Sequence, residues 1–316
     1  MKTTSAQPTH LWQQCLPIYF KESSKTKKEL RLKKEKETEE AGSEYNYPEY
    51  DELRLEELEP KAYLLFTIFD SEGQIVNRLT QTMKKGVQRL NWNFRYPSIY
   101  PVSSVGIKPG KNNTAGNYVL PGEYFVSLSK VVNNQQTELV GKTPFKVQPL
   151  HQNELEMSEM DLLFAFMKDV NELRKAVKGT YQLVNETGSR LKQLRNAAII
   201  TPSASSDLYR MLDKADEQLL EIKFQLSGDK MKEKRNIWIP PTIAKRVDNI
   251  VYGLWRSYGP PTSNMEMSFK TAKQEFIPLL GEVTRLIEIE IKQIEEELDR
   301  IGAPYTPGRI PQYYHD

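Results

Sequence analysis

One cysteine and three histidines are all that 316 residues hold of the side chains most used in metal binding and nucleophilic chemistry. Cys15 alone excludes an intramolecular disulfide and any multi-cysteine zinc site. His10, His151 and His315 fall in the N-terminal lead, a linker and the C-terminal tail, which argues against a buried histidine-based metal or nucleophile–base site. No apolar run approaches the roughly 20 residues that span a bilayer, so no membrane span is expected. Charge of one sign is lacking too. The 44 basic and 42 acidic residues leave a net +2, which gives no general drive toward nucleic acid or an anionic membrane. Met1 to Gln14 contains Lys2 but no apolar segment of a signal peptide, and the chain as written is expected to stay in the cytoplasm.

The motifs of catalysis are missing as well. There is no Gly-x-Ser-x-Gly elbow to present a serine and no Gly-x-x-x-x-Gly-Lys-Ser/Thr loop to cradle phosphate. Gly106 and Gly110 share a loop with Lys108 and Lys111, but no helix follows to add its dipole. The turn at Asp70 carries too few carboxylates for calcium. Glu288, Glu290 and Glu295 to Glu297 lie on a lysine-containing helix, with Glu288 placed to pair with Lys292. They read as a solvated face rather than an acid–base pair. No catalytic, cofactor-binding or metal-binding residue is therefore named, no cofactor is expected, and the chain itself is not expected to be an enzyme.

What is present is architecture. The length allows two or three domains, and 38% hydrophobic residues supply a core beneath a surface fed by 27% charged residues. Residues 1–60 form a charged, partly helical lead. Residues 1–20 have no clear periodicity. The Lys/Glu run over 21–41 predicts a solvated helix with pairs such as Glu29–Lys33, and its interleaved glutamates argue against a basic nucleic-acid arm. Tyr45, Tyr47, Pro48 and Tyr50 could form a sugar platform; the preferred reading packs them as a linker onto the next domain.

Residues 61–149 predict an antiparallel β-sandwich. Ala62–Phe69 is a strand-length apolar run, Asp70–Gly73 a turn, and Gln74–Leu79 the return strand. Leu90, Trp92 and Phe94 alternate with Arg89, Asn91, Asn93 and Arg95, the period of a half-buried strand. Residues 97–117 read as a long loop. Pro121–Gly122 opens a strand over Glu123–Val132, Asn133–Asn134 is a hairpin turn, and Thr143–Gln148 is a last strand.

From 155 to 301 the period becomes helical and predicts an antiparallel bundle. Ser158-Glu159-Met160-Asp161 reads as a capping box for a first helix that runs to Ile199, with a kink at Gly188. A second helix carries Leu208 to Leu226 and stops at Gly228. A third follows Pro240–Pro241. A fourth, capped by Ser263-x-x-Glu266, carries Phe269, Ala272, Phe276, Leu279, Val283, Ile287, Ile291, Ile294 and Leu298, with a bend at Pro278. Trp238, Trp255 and Tyr258 flank the Pro-Pro segments. They read first as packing residues and second as the lining of a ligand groove. Residues 302–316 form an extended tail lying against a neighbouring surface.

The block with Asp70, Gly73, Gly86, Trp92 and Leu120-Pro121-Gly122-x-Tyr124 resembles the Ig-like sandwich of flagellar-hook-assembly-type modules. With the helical half it resembles the C-terminal region of bacterial sortilin-like β-propeller proteins with BNR repeats, often labelled glycosyl hydrolases. Further likeness lies in Pro240-Pro241-x-Ile243-x-x-Arg246-Val247-x-x-Ile250-Val251-Tyr252-Gly253-x-Trp255 and in Gly302-Ala303-Pro304-Tyr305-Thr306-Pro307-Gly308-Arg309. Tyr19-Phe20-Lys21 to Lys36 and Tyr47-Pro48-x-Tyr50-x-Glu52-Leu53-Arg54 also fit the linker that leaves the propeller. The resemblance implies an α+β multidomain chain, an Ig-like antiparallel sandwich followed by an antiparallel helical bundle. It would serve as a non-catalytic accessory region of an exported protein in the periplasm, at the cell surface or outside the cell. The implied partners are a β-propeller in the parent protein and a protein or glycan ligand, with no nucleic acid. The propeller itself is missing, so the chain is read as a fragment or split product of a longer protein. Two alternatives stand beside this: support of a glycoside hydrolase whose active site lies on the propeller, and a free-standing helical scaffold that binds a protein.

Overall fold

The computed structural model describes residues 14–21, 25–102, 110, 115–148, 157–256 and 259–311. The chain is mixed α+β and divides into two units, Met1–Ser98 with Ser103–Asn153 and Ile99–Val102 with Glu154–Asp316.

The first unit holds two antiparallel sheets. Strand β1 (Gln14–Phe20) pairs with β4 (Gly86–Trp92); the other sheet has the order β3 (Ile75–Thr82), β2 (Tyr63–Phe69), β5 (Gly122–Val132), β6 (Gln135–Val147). Strand β2 lies between two partners and is buried on both faces, as its unbroken apolar run requires. Its Leu64, Phe66 and Ile68 share one core with Leu90 and Trp92 of β4, and Leu16, Ile18 and Phe20 of β1 pack on the same core. The absence of periodicity expected for residues 1–20 is thus corrected over its last seven residues. The alternation there spans only three apolar positions and is interrupted by Pro17, which a two-stranded edge tolerates.

Trp92 is the centre of this core. It is fully buried, its Nε1 donates to the Arg95 carbonyl at 2.9 Å, and Phe94, Tyr124 and Phe145 surround its ring at 5.4 to 6.1 Å. Phe94 is no longer strand. It takes φ 56°, so β4 ends at Trp92 and the chain turns while Phe94 still covers the indole. The two turns read from sequence have the expected chemistry. Asp70 Oδ1 accepts from the Glu72 and Gln74 N–H groups with Gly73 at φ 80°, and Asn133 and Asn134 are both left-handed between β5 and β6. Strand β6 begins eight residues before the expected Thr143. Its exposed side chains carry no apolar alternation to announce it, and pairing with β5 defines it.

Within the lead, α1 (Lys27–Glu40) meets α2 (Tyr50–Glu57) through charge rather than apolar burial. Arg31 Nε donates to both oxygens of Glu56 at 3.0 Å. Glu29 completes a capping box with Thr26 instead of pairing with Lys33, whose partner is Glu37 at 3.2 Å. The tyrosines do not bury a linker: Tyr47 donates to Glu35 at 2.6 Å while 72% exposed, and Tyr50 is 85% exposed.

The second unit is helical. In α3 (Met157–Ile199) the buried residues Val170, Leu173, Val177, Thr180, Val184, Thr187, Leu191, Leu194 and Ala198 recur at alternating steps of three and four. In α4 (Ser206–Ser227) Leu208, Leu212, Ala215, Leu219, Ile222 and Leu226 do the same. Such spacing keeps one narrow stripe facing a neighbouring helix. Gly188 does not interrupt α3. An added Cβ there would come within 2.9 Å of Lys223 and 3.3 Å of Leu219, so the glycine lets α4 approach closely. Ser158 lies inside the first turn of α3 rather than ahead of it.

Helix α5 (Lys230–Lys234) is a single short turn, and α6 (Ile243–Arg256) buries Ile243, Val247, Ile250, Val251 and Leu254. Helix α7 (Ser263–Arg285) is capped by Thr262, one residue earlier than expected, and contains Pro278. It continues through a π-helical turn, Leu286–Ile291, into α8 (Lys292–Arg300). The buried stripe reads Phe276, Leu279, Val283, Leu286 and then Ile291, Ile294, Leu298. The step from Leu286 to Ile291 is five, which would swing the stripe about 140° off the core in a regular α-helix. The wider turn absorbs it. Among the described residues no helix is long and apolar enough to cross a membrane.

Burial raises the Tyr124 phenol far above its ordinary value, with Tyr96 and Asp70 adding to the shift, and burial raises Tyr96 as well. Tyr124 also donates to the Leu120 carbonyl at 2.7 Å. A raised tyrosine favours the folded state fully below the unfolded value of about 10. That contribution falls with rising pH by up to about 1.4 kcal/mol per pH unit, because the unfolded chain ionises first. Urea denaturation should therefore show stability flat to about pH 10 and declining above it, with a shallower decline in Tyr124→Phe.

Candidate functional site

A groove of about 490 Å³ opens in the helical unit where α4 ends and the chain returns to start α6. Its making is local. Gly228 caps α4 at φ 91° and ψ 168°, a conformation that glycine alone adopts readily. Asp229 then caps α5, its Oδ1 accepting from the Met231 and Lys232 N–H groups. Asn236 takes φ 53°, and the Ile237 N–H returns to the Lys232 carbonyl. Ile239 to Thr242 thereby come back against Gly228, where an added Cβ would lie 3.1 Å from Ile239 Cδ1 and 3.3 Å from Thr242 Cγ2.

Its lining mixes apolar residues, Phe224 of α4, Ile239, Pro240, Pro241 and Ile243, with polar ones, Glu221 and Gln225 of α4, Asp229, Lys232, Thr242 and Glu275 of α7. Glu275 has Arg246 Nε at 3.5 Å, an ion pair without a hydrogen bond at that nitrogen. The last turn of α4 carries no basic side chain to balance the negative end of its dipole. In the same loop Trp238 is 81% exposed, Met231 59% and Ile237 50%.

A second cluster lies at α6. Arg174 is buried, its Nη2 donates to the Tyr100 hydroxyl at 2.7 Å, and its guanidinium lies 5.1 Å from the Tyr100 ring and 5.6 Å from that of Trp255. Asp248 stands 3.5 Å from Arg174 Nε and accepts from Lys178 Nζ at 2.7 Å. These contacts hold Tyr100 and α6 to α3, with two cations sharing the one carboxylate of Asp248. Trp238 and Trp255, each ahead of a Pro-Pro pair in sequence, thus have different roles. Trp255 covers a buried arginine, and Trp238 faces outward.

The solvated acidic face expected on the last helix is corrected in part. The π-helical turn changes the phase, so Glu290 is largely enclosed and accepts from Gln218 at 3.0 Å. Glu295 is buried and receives Arg190 Nε and Nη2 at 2.7 and 2.6 Å. Glu297 remains outside, where Arg300 holds its carboxyl below the usual carboxylate range. The tail is not simply extended. Arg309 is buried, bonds Asp299 and the carbonyls of Pro304 and Ala303, and lies 5.3 Å from the Tyr305 ring.

His10, His151, His315, Tyr258, Gly106, Lys108 and Lys111 lie outside the described residues, as does the Cys15 side chain. Among the described residues there is no group of three or more His, Cys, Asp or Glu side chains placed to hold a metal ion. The groove's carboxylates were missed by sequence reasoning because Glu221 and Glu275 are 54 positions apart on different helices and belong to no motif. Only the Pro-Pro and tryptophan signal pointed to the place. Comparison with protein-family models, curated proteins and solved structures finds no match.

Gly228→Ala should cost about 1–3 kcal/mol, from the left-handed backbone and the contact with Ile239. Chemical denaturation measures it, and a variant as stable as the parent would show that the loop closes without glycine.

Proposed function

We propose that this chain is a non-catalytic accessory region: an Ig-like antiparallel sandwich followed by an antiparallel helical bundle, acting by packing and protein interaction. On the resemblance of its motifs it is the C-terminal part of an exported sortilin-like β-propeller protein. The residues that carry the resemblance hold structural posts. Trp92 and Tyr124 fill a core, Gly73 and Gly86 take positive φ, Ile243, Val247, Ile250 and Val251 face inward on α6, and Arg309 anchors the tail. What such a likeness transmits is a scaffold.

One observation carries the reading. Buried charged groups of the helical unit have partners, Glu295 in Arg190 and Arg309 in Asp299, and the half-buried Lys178 pairs with Asp248, while the α5 loop displays Met231, Ile237 and Trp238 to the outside. Pairing offsets the cost of enclosing those charges and leaves them engaged within the helices, and outward apolar side chains suit contact with another protein.

Hydrolysis of a panel of p-nitrophenyl glycosides by the purified chain should not exceed the buffer rate. Turnover abolished by changing one carboxylate to its amide would overturn the accessory reading.

A further inference from the structure

Two exposed segments of this chain complement each other in charge and in apolar side chains. The first is α5 with the turn behind it, Lys230–Trp238, in which every residue is exposed. It carries Lys230, Lys232, Lys234 and Arg235 against Glu233, a surplus of three positive charges, and Asp229 just ahead is engaged in capping α5. Among the described residues none of these four basic side chains forms an ion pair, whereas Arg190, Arg195, Arg300 and Arg309 of the same unit all do. Met231, Ile237 and Trp238 stand exposed among them.

The second is α2 with its flanks, Glu49–Glu59, which buries no residue in its helix. Its Glu56 is held by Arg31, Glu59 accepts from the Lys27 N–H, and Asp51 pairs with Arg54. Glu49, Glu52 and Glu57 are exposed and form no ion pair among the described residues. Three free carboxylates thus match the surplus of three on the loop. At 100° per residue the exposed Tyr50, Leu58 and Leu55 fall within an arc of about 140° opposite Glu56, so the side of α2 turned away from α1 is an apolar one edged with acid.

The pattern of the loop selects its occupant. An amphipathic helix with a broad apolar face suits an anionic bilayer, and α5 is a single turn. A phosphate backbone makes no use of Met231 and Ile237. A helix that carries carboxylates beside leucine and tyrosine engages all of the loop's groups, and this chain holds one.

We infer that α2 of one copy docks on the α5 loop of a second copy. The inference rests on the accessory reading, in which the α5 loop contacts a protein, and names that protein. The carboxylates of Glu49, Glu52 and Glu57 meet the basic side chains, while the apolar side of α2 covers Met231, Ile237 and Trp238. Each copy offers one surface of each kind, so the contact is heterologous. It closes when two copies exchange it, or it continues from copy to copy. Exposed ion pairs contribute little singly and are screened by salt, so the association is weak and salt-sensitive.

Sedimentation velocity of the full chain, from about 5 to about 300 μM in about 50 mM salt, tests it. Mass above the monomer should grow with concentration, and association should weaken at least threefold in about 500 mM salt. The Lys230→Glu, Arg235→Glu variant should stay monomeric, as should Glu52→Lys, Glu57→Lys, and an equimolar mixture of the two should associate again. Trp238→Ser should associate at least threefold more weakly than the parent, and Glu288→Gln, altered at an exposed site on the π-helical turn, as the parent does. Circular dichroism confirms that each variant is folded. A parent that is monomeric throughout, association that survives either charge reversal, or a mixture that stays monomeric would overturn the contact. Binding of a monomeric parent to phosphatidylglycerol vesicles, lost in the loop variant, would overturn the second copy in favour of a bilayer. A glycosidase activity in the chain would overturn the accessory reading and leave the sedimentation result standing; a silent chain that stays monomeric removes the self-contact alone.

Discussion

The last helix of this protein must keep one apolar face on α3 and α4 over its whole length, although its sequence skips a beat. Helices α3 and α4 bury residues at strict steps of three and four. The final helix follows the same rule from Phe276 to Leu286 and again from Ile291 to Leu298, with a step of five between. A regular α-helix would expose one half of that stripe, and burying a leucine or isoleucine is worth about 1.5–3 kcal/mol each. The π-helical turn at Leu286–Ile291 keeps both halves inside. Its local hydrogen-bond geometry is poorer, and the burial of Ile291, Ile294 and Leu298 outweighs that cost.

The polar interior follows from this phase. With Ile294 turned inward, Glu295 stands beside α3, where Arg190 grips it with two nitrogens. Asp299, one turn later, receives Arg309 from the returning tail, and a Cβ added at Gly308 would lie 3.7 Å from Arg190 Nε. The two ion pairs and the tail form one continuous patch at the end of α8. Removing Arg190 would strand the buried Glu295, and removing Asp299 the buried Arg309, which is much worse than replacing the pair with apolar groups. The groove is set from the other end of α4, by Gly228 and the loop that it allows. Its position is fixed by the same stripe, because Leu226 and Ile243, on either side of the loop, are both buried in the common core.

Much of this was legible in sequence. The apolar run of β2, the Asp70 and Asn133–Asn134 turns, and the stripes of α3, α4 and α6 all carry their period openly. What was hidden has physical reasons. Strand β1 is short, contains Pro17 and gains its meaning only from pairing with β4. Strand β6 is exposed, so no burial pattern marks it. The π-helical turn was visible as a skipped step, but reading Ile287 as a stripe residue in place of Leu286 smoothed it into a regular helix. That same smoothing assigned Glu295 to solvent. Glu221 and Glu275 come to line one groove through folding alone, and only the prolines and Trp238 marked the place.

Phase, then, is the central claim: the helical unit depends on the extra residue being absorbed between Leu286 and Ile291. Deleting Ile289, which is half-exposed on the turn, would restore a step of four and a regular helix with the stripe in register. Inserting one alanine after Glu290 would make a step of six, which turns Ile291, Ile294 and Leu298 about 240° from the core. Urea unfolding of the two variants is the most direct measurement. The account predicts that the deletion stays within about 1 kcal/mol of the parent while the insertion loses several kcal/mol, the cost of exposing buried aliphatic side chains. A deletion as damaging as the insertion would contradict it.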